Sequence, residues 1–274
     1  MHSIEHLIDL ALSEDIGSGD ITTDNTIHTE LQGAGIIVAK ESCVLAGINI
    51  AEKVFRKLDD NVCFVENYKD GEIISKGETI IEMHGEMRAL LKGERTALNF
   101  LQRLSGIATL VRSYVDLISD KKVRIVDTRK TTPGWRAIEK YAVRVGGAYN
   151  HRMGLYDGIL IKDNHIKACG GITNAVKQIK QSAHHLLKIE VETSNLVEVE
   201  EALKVGVDVI MFDNMDIETI KKAVKLVNGR VLTEVSGNVT IERLNILSDT
   251  GVDIISIGAL THSAKAIDLS MRIK

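Results

Sequence analysis

LKIEVETSNLVEVEEALKVGVDVIMFDN, residues 187–214, decides the fold. A short strand-forming run at Leu187–Val191 gives way to a stretch of helical periodicity over 195–204. The apolar run Val207–Phe212 then reads as a second strand. Strands buried on both faces are apolar runs, and a helical crossover between them makes them parallel. The same rhythm extends both ways. Further strands are expected at Val123–Val126, Gly158–Ile161, Val231–Val235 and Asp253–Ile257, with helices at about 134–145, 168–183, 216–227 and 240–248. So many units in one stretch favour a closed (β/α) barrel, although six strands are fewer than a regular barrel's eight. A doubly wound sheet remains open, because periodicity does not register closure.

Upstream the pattern differs. A helix over 4–14 puts Ile4, Leu7, Ile8, Ala11 and Leu12 on one face and ends at Gly17 and Gly19. Strands are expected at 34–39, 62–66 and 79–83, and a helix at 47–58. Residues 70–78 read as two turns around a short strand. Residues 86–119 read as a long helical bridge, broken near Gly106. The change in rhythm places a boundary near residue 107, dividing the chain into 1–107 and 108–274.

The chain has 274 residues and a net charge of −4, so a broad nucleic-acid surface is not expected. No apolar run is long enough to span a bilayer, and the first ten residues lack the pattern of a secretory signal. Cys43, Cys63 and Cys169 are odd in number and widely separated, which suits a reduced, cytoplasmic compartment.

Against that mild acidity, residues 127–167 hold eight Lys/Arg and four Asp/Glu. Polar residues follow nearly every barrel strand: Asp127, Arg129 and Lys130; Lys162 and Asp163; Glu192; Asp213 and Asn214; Ser236, Gly237 and Asn238; Gly258. In a (β/α) barrel these positions meet on the C-terminal rim, where such enzymes react. Arg129, Lys130, Arg152 and Lys162 suit carboxylates or phosphates. Glu192 and Asp213 are hard oxygen donors, which with phosphate nearby point to Mg2+ rather than zinc. The small residues at Ser236–Asn238 and Ile257–Ala259 let backbone N–H groups approach a phosphate. Structural alternatives exist for several of them. Arg129 could pair with Asp127, Glu192 and Asp213 could cap the following helices, and His165 could orient neighbours.

These blocks resemble the quinolinate phosphoribosyltransferase family nearly from end to end. The resemblance starts at Glu14–Thr23 and continues through Glu94–Phe100 and Leu104–Thr109. Its most diagnostic parts are Asp127–Gly134, Lys140–Val143, Gly146–Gly147, Asn150-His151-Arg152 and Leu160–His165. It runs on through Glu190–Glu192, Asp213–Met215 and Gly251–Ser263. It implies an N-terminal α/β sandwich domain and a C-terminal incomplete (β/α) barrel of about six or seven strands. It implies a decarboxylating transfer from phosphoribosyl pyrophosphate to quinolinate in NAD biosynthesis, and a homodimer in which Arg95 reaches the partner's site. Thr128, Arg129, Lys130, His151, Arg152 and Lys162 would bind quinolinate. Glu192 and Asp213 would hold Mg2+ and the ribose hydroxyls, while Ser236, Gly237, Asn238, Ile257, Gly258 and Ala259 would cradle the 5′-phosphate. Lys130, Lys162, Glu192 and Asp213 would carry the chemistry.

Three positions depart from the family pattern: Asn238 where a second glycine is usual, Ala148 where a third glycine is common, and Trp135 in place of a smaller apolar residue. None removes a charged site residue. Two rivals share the chemistry of the rim: the molybdenum-transport-associated relatives of the fold and nicotinate phosphoribosyltransferase. The Ile161–His165 block and the number of cations favour quinolinate. A biotinyl or lipoyl carrier module, suggested by the turns at 70–86, lacks the modified lysine flanked by methionines.

Overall fold

The computed structural model describes residues 4–274; the first three residues of the segment read for a secretory signal lie outside the described residues. In chain order the elements are α1 (Ile4–Ile16), α2 (Ile21–Thr26), β1 (Gln32–Ala39), β2 (Cys43–Val44), α3 (Ile48–Arg56), β3 (Cys63–Glu66), β4 (Ile73–Ile74), β5 (Thr79–Glu86) and α4 (Met87–Leu117). Then follow β6 (Arg124–Val126), α5 (Arg136–Val145), β7 (Ile159–Ile161), α6 (Asp163–Cys169), α7 (Ile172–Ser182), β8 (Ile189–Thr193), α8 (Leu196–Val205) and β9 (Val209–Asp213). The chain ends with α9 (Ile217–Val227), β10 (Leu232–Ser236), α10 (Ile241–Ser248), β11 (Ile254–Ser256), α11 (Ala259–His262) and β12 (Leu269–Ile273).

Two compact units result, and neither is one continuous stretch. The first takes residues 1–112, 131–147 and 260–274; the second takes 113–130 and 148–259. The first is built on an antiparallel sheet of order β12-β1-β5-β3, so the last strand of the chain pairs with the first. Ile37, Ile80 and Ile81 are fully buried. Helix α1 packs on α3, with Ile8 and Leu12 buried on one side and Val54 and Phe55 on the other.

Helix α4 departs from the expected break at Gly106: it runs unbroken for 31 residues. Glycine in a helix interior costs about 1 kcal/mol relative to alanine but does not end the helix. It is needed here for approach, since a Cβ at Gly106 would lie 2.0 Å from the Lys265 carbonyl oxygen. A second departure is the single helix expected over 168–183. Gly170 and Gly171, at φ +74° and +127°, divide that region into α6 and α7. Both backbone values lie where L side chains are strained.

The second unit holds six parallel strands in the order β6-β11-β10-β9-β8-β7. Strands β6 and β7 end that order, and among the described residues only a single-residue parallel bridge, Val126 to Tyr149, extends it beyond β6. The result is an incomplete (β/α) barrel. Its core is the apolar run read from the sequence, with Val191, Ile210, Phe212, Val235 and Ile255 at most 2% exposed.

Candidate functional site

The C-terminal ends of the six strands carry the site residues. Strand register fixes their relations: Ser236 pairs with Asp213, Thr193 with Phe212, and Glu192 with Met211. Glu192 and Asp213 therefore sit within the last two residues of adjacent strands. Side chains two apart on a strand share a face, so Glu190 points the same way as Glu192, one layer deeper. The same holds for Glu234 below Ser236.

Asp127 is fully buried, and it is the anchor of the Asn150-His151-Arg152 block. Its carboxylate accepts from Asn150 Nδ2 at 2.6 Å and from the His151 backbone N–H at 2.8 Å. Thr128 Oγ1 accepts from the backbone N–H of Lys130 at 3.1 Å, shaping the turn that presents Arg129 and Lys130. Arg152 donates from Nη1 to the Gly158 carbonyl at 2.9 Å, which orients the guanidinium. Burial, then the neighbouring positive charge of Arg129, holds the Arg152 pKa below its usual value; Glu190 and Glu192 act the other way. Two neighbouring guanidinium groups favour an anion nearby.

Lys162 caps the start of α6 and is exposed. Its Nζ donates to Glu192 Oε1 at 2.6 Å, so one cation and one acid of the predicted site meet directly. His165 is the orienting residue that the sequence left as one alternative. Its Nδ1 accepts from the Lys162 backbone N–H at 2.9 Å. Asp213 accepts from Asn214 Nδ2 at 3.0 Å and does not act as the cap of α9, a role that Asp216 takes through the Thr219 N–H. Likewise Asn195, not Glu192, caps α8.

The Ser236-Gly237-Asn238 loop has two left-handed residues, Gly237 at φ +91° and Asn238 at φ +48°. Asparagine is among the few L residues that adopt this region readily, so the departure at 238 is accommodated. Asn238 Nδ2 also donates to Asn214 Oδ1 at 3.2 Å, tying the loop to the end of β9. A Cβ at Gly237 would lie 2.2 Å from that same Asn214 oxygen. Arg95 lies on α4 in the first unit and is exposed. Trp135 stacks on Phe100, with centroids 4.7 Å apart and planes 21° apart.

Two residues of the site escaped the sequence reading: Glu190 and Glu234. Both are buried acids inside the barrel. His151 Nε2 lies 3.1 Å from Glu190 Oε2 and 3.7 Å from Glu234 Oε2. Burial, and then the Glu190 charge, push the Glu234 pKa up to about 8, with His151 opposing. The available signal was alternation: an acid at every second position of Ile189-Glu190-Val191-Glu192 puts both on the inward face.

Together these features define a class, an α/β protein whose incomplete barrel presents cations and two hard acids on one rim. Comparison with known proteins makes the assignment specific. The model of the quinolinate phosphoribosyl transferase N-terminal domain matches residues 20–105, and that of its C-terminal domain matches residues 107–272. The chain belongs to the quinolinate phosphoribosyltransferase family. A probable nicotinate-nucleotide pyrophosphorylase (carboxylating) of Bacillus subtilis is 49% identical over 270 residues, covering 98% of this chain and 93% of the relative. The crystal structure of NadC from Streptococcus pyogenes superposes with a TM-score of 0.95 at 43% identity, covering 99% of this chain and 96% of that one. The nicotinate-nucleotide pyrophosphorylase of Francisella tularensis gives a TM-score of 0.94 at 41% identity, with coverage of 99% and 96%.

Proposed function

We propose that this protein transfers phosphoribose to quinolinate with loss of CO2, giving nicotinate mononucleotide and pyrophosphate for NAD synthesis. The observation that carries this is Arg152 beside Arg129, with Lys130 next in sequence, and Lys162 in contact with Glu192, whose strand end adjoins that of Asp213. A dicarboxylate needs two cationic contacts, and a diphosphate ester needs a hard-cation side. Both are present, in a family that carries this activity in its name.

The assigned roles follow from chemistry. Arg129, Lys130, Arg152 and Lys162, with Thr128, hold the pyridine dicarboxylate and offset the repulsion between two polyanions. The ring nitrogen bonds to ribose carbon 1 as the bond from that carbon to pyrophosphate oxygen breaks. The carboxylate beside the nitrogen then leaves as CO2; the cationic ring takes up the electron pair, and a proton replaces the carboxylate. Two carboxylates at adjacent strand ends fit Mg2+, which prefers oxygen ligands and keeps several waters. When bound, that ion would neutralise charge on the departing pyrophosphate. Glu192 and Asp213 would hold it and the ribose hydroxyls. In the free protein, Lys162 occupies the Glu192 oxygen at 2.6 Å, so substrate binding exchanges an internal ion pair for contacts with ligands. The loops at Ser236–Asn238 and Ile257–Ala259 would cradle the 5′-phosphate. The functional unit is a homodimer, with Arg95 supplied by the partner.

The deciding measurement is CO2 release with phosphoribosyl pyrophosphate and Mg2+. Quinolinate should give stoichiometric CO2, pyrophosphate and nicotinate mononucleotide. Turnover of nicotinate in its place, with no reaction of quinolinate, would sink the proposal. The phosphate loop gives a second test. In Gly237→Ala the new Cβ collides with Asn214 Oδ1 and sits at a strained φ, at a cost of about 1–3 kcal/mol. The KM for phosphoribosyl pyrophosphate should rise at least about fivefold, while that for quinolinate changes little.

A further inference from the structure

We propose that His151 is a positioning residue, a neutral imidazole protonated on Nε2, which transmits the buried Glu190 carboxylate to the backbone of Arg152. The tautomer follows from hydrogen-bond bookkeeping. The Arg152 backbone N–H approaches His151 Nδ1 at 2.8 Å. A backbone N–H only donates, so Nδ1 must offer a lone pair. The ring proton then sits on Nε2, which faces Glu190 Oε2 at 3.1 Å. An imidazolium, with both nitrogens protonated, would lose the Arg152 contact. A metal ion on Nε2 would move the proton to Nδ1 with the same result, although His151, Glu190 and Glu234 offer three ligand atoms within 4.8 Å of one another.

These contacts form a chain from the barrel interior to the rim. Asp127 fixes the backbone of His151 at 2.8 Å, Glu190 fixes its ring, and the ring fixes the backbone from which Arg152 projects. Gly158 then fixes the guanidinium itself at 2.9 Å. With both ring nitrogens engaged inside the chain, His151 has no donor left for a substrate carboxylate. Its effect on quinolinate passes through Arg152, and that part of the inference rests on the proposed function. Charge supports the arrangement. Two buried carboxylates side by side cannot both stay ionised at low cost. Burial and the Glu190 charge raise the Glu234 pKa, and Glu234 faces Glu190, His151 and Ser256. Among the described residues, Oε1 of Glu190 and Oε1 of Glu234 have no hydrogen-bond partner.

The test has a spectroscopic arm and a kinetic arm. In the 15N-histidine-labelled full chain, assigned with His151→Gln, His151 should show the neutral Nε2–H tautomer across pH 6–8 without any substrate. An imidazolium, an Nδ1–H tautomer or a metal-bound Nε2 overturns the proposal, whatever the enzyme turns over. In the kinetic arm, Glu190→Leu removes the acceptor. The quinolinate KM should rise about tenfold or more, the loss of one charged hydrogen bond, with that for phosphoribosyl pyrophosphate within about twofold. Glu190→Gln, whose amide oxygen still accepts from Nε2–H, should recover most of that loss. An unchanged quinolinate KM in folded Glu190→Leu overturns the relay. If Glu190→Leu does not fold, the wild-type and Glu190→Gln spectra decide. A wild-type protein that shows the tautomer but ignores quinolinate defeats the proposed function instead.

Discussion

Arg152→Ala is expected to lose quinolinate turnover by about two to three orders of magnitude in kcat/KM while the fold survives. Truncating one partner of a desolvated, charge-assisted pair costs about 2–5 kcal/mol, and about 1.4 kcal/mol is a factor of ten. Arg152 sits toward the upper end of that range. Burial and Arg129 both act against its charge, so it is held where an incoming carboxylate gains most. Its guanidinium is already aimed by the Gly158 carbonyl, so little freedom remains to be lost on binding. The structural loss is one half-buried hydrogen bond, about 1 kcal/mol. Arg152→Lys should recover little, since an ammonium cannot reproduce the planar fork. Steady-state kinetics against quinolinate, beside a thermal melt, separates the two effects. Near-wild-type turnover in Arg152→Ala would show that the carboxylate clamp is misassigned.

Arg152 itself was visible in the sequence because it follows His151 inside the cation-rich stretch 127–167, in a block that resembles the family. The meeting of strand ends in a barrel found Lys162, just after β7, and Glu192 and Asp213, near the ends of β8 and β9. Glu190 and Glu234 were missed for a physical reason. An acid inside an apolar run looks like noise unless one asks which face it occupies, and only burial shows that the two acids meet over His151. The tautomer of His151 is likewise a matter of which backbone N–H lies near Nδ1, and no pattern of residue types encodes that. Gly106 misled in the opposite direction. Glycine punctuates chains in general, but here it admits the Lys265 carbonyl to the side of an unbroken helix. That contact is between residues more than 150 positions apart, beyond the reach of any local pattern. The same long-range pairing brings 131–147 and 260–274 into the first unit.

What holds those distant segments together makes the second large effect, in Arg103→Met. Arg103 projects from α4 and donates from Nε and Nη2 to Glu139 Oε1 of α5, at 3.1 and 2.9 Å. It also donates from Nη1 to the Ala264 carbonyl at 2.8 Å and from Nη2 to the Thr261 carbonyl. One guanidinium thus joins three stretches of the first unit that are far apart in sequence. Glu139 is fully buried, and its remaining support comes from Thr132, whose backbone N–H and hydroxyl donate at 3.0 and 2.9 Å. Methionine fills much of the volume but donates nothing. It leaves a buried carboxylate short of its cation and two carbonyl groups short of donors. Breaking a buried pair from one side costs about 3–5 kcal/mol, and the 24% exposure of Arg103 places the loss near the lower figure. For a domain of this size about 3 kcal/mol lowers Tm by roughly 6–12 °C. Removing the charge as well, in Arg103→Met with Glu139→Gln, should restore part of the loss, because no buried ion is then left unpaired. A double variant no more stable than Arg103→Met would mean that the carbonyl contacts at Thr261 and Ala264, rather than the ion pair, hold the C-terminal segment to α4.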